Sequence, residues 1–168
     1  MEYVRLGKTD LLISRVAFGA MRLCDAGGDE EAYQIVRKAY DAGINFFDVS
    51  HQTAASEKLL GEALFDIKRN VFLRTATGAK TSAEIKSDLE ESLMTLHCDT
   101  VDLYQLEVNK FLPMPGGADK IYETLQELIS LMYLIKLLQA KSCLEKLCLT
   151  LNATYSLVPQ RAPKLLPK

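Results

Sequence analysis

Between residues 15 and 131 the chain alternates four times between a short β-branched or aromatic run and an amphipathic stretch, with short connections. That alternation is the strongest constraint on what the chain can fold into. Strands separated by helices cannot pair as hairpins, so they form a parallel sheet, either closed into a barrel or open and doubly wound. The runs are Arg15–Leu23, Ile44–Val49, Val71–Thr77 and Thr100–Val108. The helices are expected over Asp29–Ala42, after the polar loop His51–Ala54, after Thr81 and over Asp119–Leu131. Ala32, Ile35, Val36, Ala39 and Tyr40 mark the inner face of the first helix, and Gly43 ends it. Leu59, Leu60, Ala63 and Leu64 mark the second. Thr81-Ser82-Ala83-Glu84 has the form of a capping box, followed by Ile85, Leu89, Leu93 and Leu96. Ile121, Leu125, Leu128 and Ile129 mark the fourth. Tyr3–Ser14 reads as an N-terminal β-hairpin turning at Gly7-Lys8-Thr9-Asp10.

Asp48 stands near the end of the run Ile44–Val49, beside two phenylalanines. A carboxylate there is costly to bury without a partner, and the carboxyl ends of parallel strands are where α/β folds place reactive groups. Asp48 either caps the following loop or belongs to a site. The GxGxxG dinucleotide fingerprint is absent, which weakens the doubly wound NAD-binding alternative. P-loop, HExxH and GxSxG patterns are absent as well.

With 168 residues and a net charge of −2, one core is the default and no basic field points to nucleic acid. The apolar run Leu128–Leu138 is well short of the roughly 20 residues of a membrane span, so no membrane partner is expected. The N-terminus has no apolar signal region, and the four cysteines lack CxxC spacing. Both point to free thiols in a reducing, cytoplasmic setting.

Several segments together are specific: VRLGKTDLLISRVAFGAMRL, DAGINFFDVSHQTAASEKLLGEAL, DLEESLMTL, VDLYQLEV and FLPMPGG. In these the chain resembles the N-terminal half of aldo-keto reductases, most of all the bacterial branch that often carries an iron–sulfur tail. The resemblance covers about residues 2–131. It implies a (β/α) TIM barrel, a fold of typically ~250 residues, and hydride transfer from NADPH to a small carbonyl substrate. It also implies a catalytic tetrad of Asp, Tyr, Lys and His at the strand ends. The Asp of the family's FFDTA is retained as Asp48. The Tyr of Y-G-x-S-E falls on Thr53, the Lys of T-K-T on Ala76, and the His of L-Y-Q-L-H on Glu107. Gly19, Ala20 and Met21 match the turn that touches the nicotinamide end of the cofactor.

These substitutions imply impaired catalysis. A threonine hydroxyl is far less acidic than a phenol, and Ala76 supplies no cation to lower a pKa. Asp48 is expected to lack its partner and to be protonated or solvated. Glu107 adds negative charge where an oxyanion would form. His51 and Lys80 share these loops but hold no strand-end position. No metal site is expected from Asp48, His51 and Glu107.

Residues 1–158 are expected to form an incomplete barrel of five to six βα units. Tyr133–Ser142 would be a fifth strand, Cys143–Leu151 a short helix and Ser156–Pro159 a sixth strand. Residues 159–168 read as a Pro-rich tail. This describes a truncated reductase relative, with open sheet edges that offer a route to a homo-oligomer. A non-enzymatic binding or regulatory role is the alternative.

Overall fold

The computed structural model describes residues 1–107 and 113–132, which belong to one compact unit spanning Met1–Met132. The chain begins as an antiparallel hairpin of β1 (Tyr3–Arg5) and β2 (Leu12–Ser14), in the register Tyr3↔Ser14. Its turn places Gly7 at φ +57° and is closed by the Leu6 amide on the Leu11 carbonyl at 2.9 Å. Asn45 fastens the hairpin to the sheet. Its Oδ1 accepts from the Ser14 amide at 2.7 Å, and its Nδ2 donates to the Leu12 carbonyl at 3.0 Å.

The four remaining strands form one parallel sheet in sequence order: β3 (Phe18–Gly19), β4 (Phe46–Asp48), β5 (Phe72–Thr77) and β6 (Leu103–Leu106). The first is much shorter than the expected Arg15–Leu23. After Gly19 the Ala20 amide bonds the Asp48 carbonyl at 2.7 Å, and the chain turns into a 3-10 turn at Leu23–Asp25. The last strand likewise occupies only the middle of Thr100–Val108, and Val108 lies outside the described residues.

Helix α1 (Asp29–Asp41) follows β3, α2 (Ala54–Ala63) follows β4, α3 (Ser82–Thr95) follows β5, and residues 121–132 form α4. The first turn of α1 carries Asp29, Glu30 and Glu31, and its last turn Lys38, which suits the helix dipole. Gly43, at φ +90°, closes it through its amide on the Tyr40 carbonyl at 2.8 Å. Glycine is needed there twice over, because a Cβ would also come within 2.8 Å of the Met1 Cβ.

The inner face of α1 is shifted from the expected one. Ala32 and Val36 are buried and Tyr33 packs against the core, while Ile35 is exposed. At 3.6 residues per turn Ile35 lies roughly 100° from the centre of the Ala32–Val36–Tyr40 stripe. Ile129 departs in the same way: α4 buries Ile121 and Thr124, and Ile129 faces outward. The capping box forms as expected, with the Glu84 amide on Thr81 Oγ1 at 3.3 Å and the Thr81 amide on Glu84 Oε2 at 3.2 Å.

The core lies between the sheet and its helices. Phe47, Val49 and Leu73 meet Leu60, Leu64, Leu89 and Leu96 there. Helix α2 lies very close to the end of α3, since a Cβ on Gly61 would come within 2.6 Å of the Thr95 carbonyl oxygen. The expected elements over Tyr133–Ser142, Cys143–Leu151 and Ser156–Pro159, and the tail 159–168, lie outside the described residues.

Candidate active site

In the parallel ladder Gly19, Asp48, Arg74 and Leu103 stand in register. Side chains in register share a face, and the face alternates along each strand. Thr75 and Thr77 are committed to the helix side: Thr75 Oγ1 donates to Glu57 Oε1 on α2 at 2.8 Å, and Thr77 Oγ1 donates to Asp88 on α3. Asp48, Arg74 and Ala76 therefore stand on the opposite face. Glu107 joins them just past β6, where its amide bonds the Thr77 carbonyl at 2.8 Å. Asp48, Ala76 and Glu107 thus gather at the carboxyl ends of three neighbouring strands.

Asp48 has a cationic partner, contrary to the expectation that it would stand alone. Arg74 Nη1 donates to Asp48 Oδ1, and Arg74 Nη2 lies 3.6 Å from Glu107 Oε1. Arg74 is only 8% exposed, so its charge is held by these two carboxylates rather than by water. Glu107 is correspondingly one flank of an ion network. The sequence did contain a signal for Arg74. A charge inside VFLRTAT, at an alternate position between Phe72 and Ala76, demands a partner on the same face.

Thr53 ends the 3-10 turn His51–Thr53, and its Oγ1 donates to the Ser50 carbonyl at 2.9 Å. Its proton is therefore engaged by the backbone. Ala76 is fully buried, and its carbonyl accepts from Ser50 Oγ at 3.3 Å. Tyr104 offers no replacement phenol. It neighbours Thr75 on the helix side and donates to the Ile85 carbonyl at 3.0 Å, and burial, followed by the charge of Asp88, pushes its pKa up.

His51 turns toward α3. Its Nδ1 lies 3.3 Å from Ser92 Oγ, and its Nε2 lies 3.6 Å from Asp88 and 3.9 Å from Glu91. It does not join Asp48 and Glu107. Among the described residues no group of three or more His, Cys, Asp or Glu is arranged to hold a metal ion.

The turn Gly19–Met21 is fixed from two sides. Ala20 is held by the Asp48 carbonyl, and the Met21 carbonyl accepts from Ser56 Oγ at 3.1 Å. Ser56 Oγ also accepts from the Cys24 amide at 3.0 Å, so one buried hydroxyl of α2 fixes both sides of this loop. Ser56 has no role in the reading from sequence; its match to the Ser of the Y-G-x-S-E segment was the available signal. Gly19 has open space where a Cβ would stand, and Met21 is exposed beside it.

A parallel sheet with helices on one side and polar groups gathered at its carboxyl ends defines a (β/α)-barrel type of protein with its site at the strand ends. The model of the aldo/keto reductase family matches residues 15–133, and the chain belongs to that family. It is 34% identical over 135 residues to L-galactose dehydrogenase of Arabidopsis thaliana, covering 72% of this chain and 41% of that protein. It is 29% identical over 138 residues to 6-dehydroglucose reductase of Novosphingobium aromaticivorans, covering 71% of this chain and 45% of that one. Among solved structures, the holo form of aldo-keto reductase AKR11C1 from Bacillus halodurans superposes with a TM-score of 0.69 at 27% identity, covering 79% of this chain and 47% of that chain. The chain spans less than half the length of these relatives, and its described sheet is part of their barrel. Its homologues are oxidoreductases, and the family in general uses a nicotinamide dinucleotide. Among the described residues no helix is long and apolar enough to cross a membrane.

Proposed function

We propose that this chain is by descent an NADPH-dependent carbonyl oxidoreductase whose hydride-transfer chemistry is impaired. The observation that carries the reading is the state of the four strand-end positions. Asp48 is retained but engaged by Arg74, the Thr53 hydroxyl donates its hydrogen bond to a backbone carbonyl, Ala76 has no polar group, and Glu107 is paired with Arg74. The described residues fit the nicotinamide end of the cofactor. Gly19 is bare, Met21 is exposed beside it, and Ser56 holds the turn in place. NADPH, when bound, supplies the hydride. The chain's own contribution would be to receive the ring at Gly19–Met21 and to face the substrate with Asp48. At these positions the described residues offer no phenol to protonate the carbonyl oxygen, a loss typically worth ~10²–10⁴ in rate.

The substrate class is a small aldehyde or ketone. The test is turnover of an activated aromatic aldehyde with NADPH, measured beside a relative that carries the full tetrad. At least a hundredfold lower kcat/KM is expected. Turnover within tenfold of that relative would sink the reading. A second reading, a non-enzymatic binding role, is favoured by the ion network of Asp48, Arg74 and Glu107, which engages both carboxylates with one guanidinium. A chain that binds NADPH or a carbonyl compound without turnover would support it.

A further inference from the structure

Among the described residues Arg74 is the only buried lysine or arginine, and its position on β5 has a consequence for the strand end above it. Asp48 is its direct register neighbour on one side. Glu107 lies on the other side and further along, past the Thr77↔Leu106 pair. Successive same-face positions on a strand are roughly 6.6 Å apart. A guanidinium that bonds Asp48 with Nη1, lies 3.4 Å from the Val49 carbonyl with the same nitrogen and 3.6 Å from Glu107 with Nη2 reaches toward the carboxyl end, in the direction of Ala76. Ala76 is fully buried although its side chain faces away from the helices, as expected if the Arg74 side chain covers it.

We infer that the Arg74 guanidinium has taken, from two residues deeper on the same strand, the place beside Asp48 that a lysine ammonium at position 76 would need, so that Arg74 and such a lysine exclude each other. The inference rests on the assignment of positions 48, 76 and 107 made above. It implies that restoring Tyr, Lys and His at 53, 76 and 107 is not enough. With Arg74 in place and Glu107 gone, two cations would converge on one carboxylate at low effective dielectric.

The test is a double-mutant cycle on the full chain, read by urea unfolding in the Glu107→His background. Ala76→Lys is compared on Arg74 and on Arg74→Met. The lysine is expected to lower the folding equilibrium constant at least tenfold more on Arg74 than on the methionine variant. Arg74→Lys, which keeps the charge, is expected to bring most of that penalty back. A difference of threefold or more supports the inference, and a smaller or reversed one overturns it. If Arg74→Met does not fold, Arg74→Gln takes its place in the same cycle, with the same thresholds. The cycle reads folding alone, so active turnover by the unmodified chain would defeat the functional proposal and leave this result intact.

Discussion

Removing the Arg74 guanidinium leaves Asp48, itself only partly exposed, facing an apolar side chain. Breaking a buried pair from one side typically costs about 3–5 kcal/mol, because the remaining charge keeps its desolvation penalty. Arg74→Met is expected to lower the stability in urea by about 3 kcal/mol. Adding Asp48→Asn should return part of that loss, and a loss below about 1 kcal/mol would show that water already serves the carboxylate. A thiol provides a second check. Burial pushes the Cys98 thiol up to about 11, so almost none of it is thiolate near pH 8, whereas Cys24 is exposed. With Cys143 and Cys148 replaced by serine, a disulfide reagent at pH 8 should label Cys24 rapidly and Cys98 at least a hundredfold more slowly. Equal rates would mean that the α3–β6 corner around Cys98 opens readily. At this scale the sequence was legible for what occupies the strand ends and illegible for how those groups are paired. Asp48 announced itself by its cost among phenylalanines. The charge of Arg74 inside VFLRTAT was equally visible, but its pairing with Asp48 was not, because that depends on parallel register between strands about 26 residues apart, which no local pattern encodes.

Helices were readable wherever a start or stop signal accompanied the apolar period. Thr81 with Glu84, and Gly43 after α1, set their boundaries correctly. The inward faces were less certain, because Ile35 and Ile129 are apolar residues at the margin of their stripes, and hydrophobicity alone does not separate margin from centre. The shortness of β3 was hidden for a related reason: its flanks are apolar, but directly after Ala20 the chain turns, with the Leu23 amide on the Ala20 carbonyl. Two element-scale predictions follow from the contacts. Gly61→Ala would gain helix propensity of about 1 kcal/mol, yet its methyl would press on the Thr95 oxygen and on Leu96 Cα at 2.7 Å, both of them backbone atoms. Overpacking of that kind typically costs about 1–3 kcal/mol, so net destabilisation in urea is expected, and a rise in stability would mean α3 can move aside. The second concerns the capping box. The Lys80 and Thr81 amides bond the Glu84 carboxylate and hold its pKa below the ordinary 4.5. A depressed native pKa adds stability that is present above the unfolded value and is lost as pH falls through the native one. Wild type should therefore exceed Glu84→Gln in urea midpoint at pH 6, and the gap should close as the pH falls below about 4.5. A gap that is constant from pH 6 to pH 3 would show that the carboxylate's charge plays no part in the cap.

For the whole molecule, the alternation of strands and helices was enough to read a parallel α/β sheet, and the specific segments around Asp48 narrowed it to one family's barrel. The chain spans less than half of its relatives' length, and holding the cofactor is a separate demand from holding the fold. The structure supplies two opposing considerations. The Gly19–Met21 turn is fixed by Ser56 and by the Asp48 carbonyl, so the surface proposed for the nicotinamide ring would need no rearrangement to receive it. That preorganisation reduces the cost of binding. Against it, Asp48 and Glu107 outnumber the single Arg74 at the strand ends, and the resulting excess of negative charge opposes an anionic dinucleotide. Calorimetry of the chain with and without NADPH weighs the two. A ligand at a hundredfold excess over its dissociation constant stabilises the native state by about 2.7 kcal/mol. For a chain of this size that raises Tm by roughly 5–10 °C. The expected result is a cooperative peak that moves upward by a few degrees at low millimolar NADPH, and moves further in Glu107→Gln, where one opposing charge is gone. A sharp peak that NADPH leaves in place in both proteins would show that the turn alone does not hold the cofactor, and the binding role independent of NADPH would become the better account of the fold.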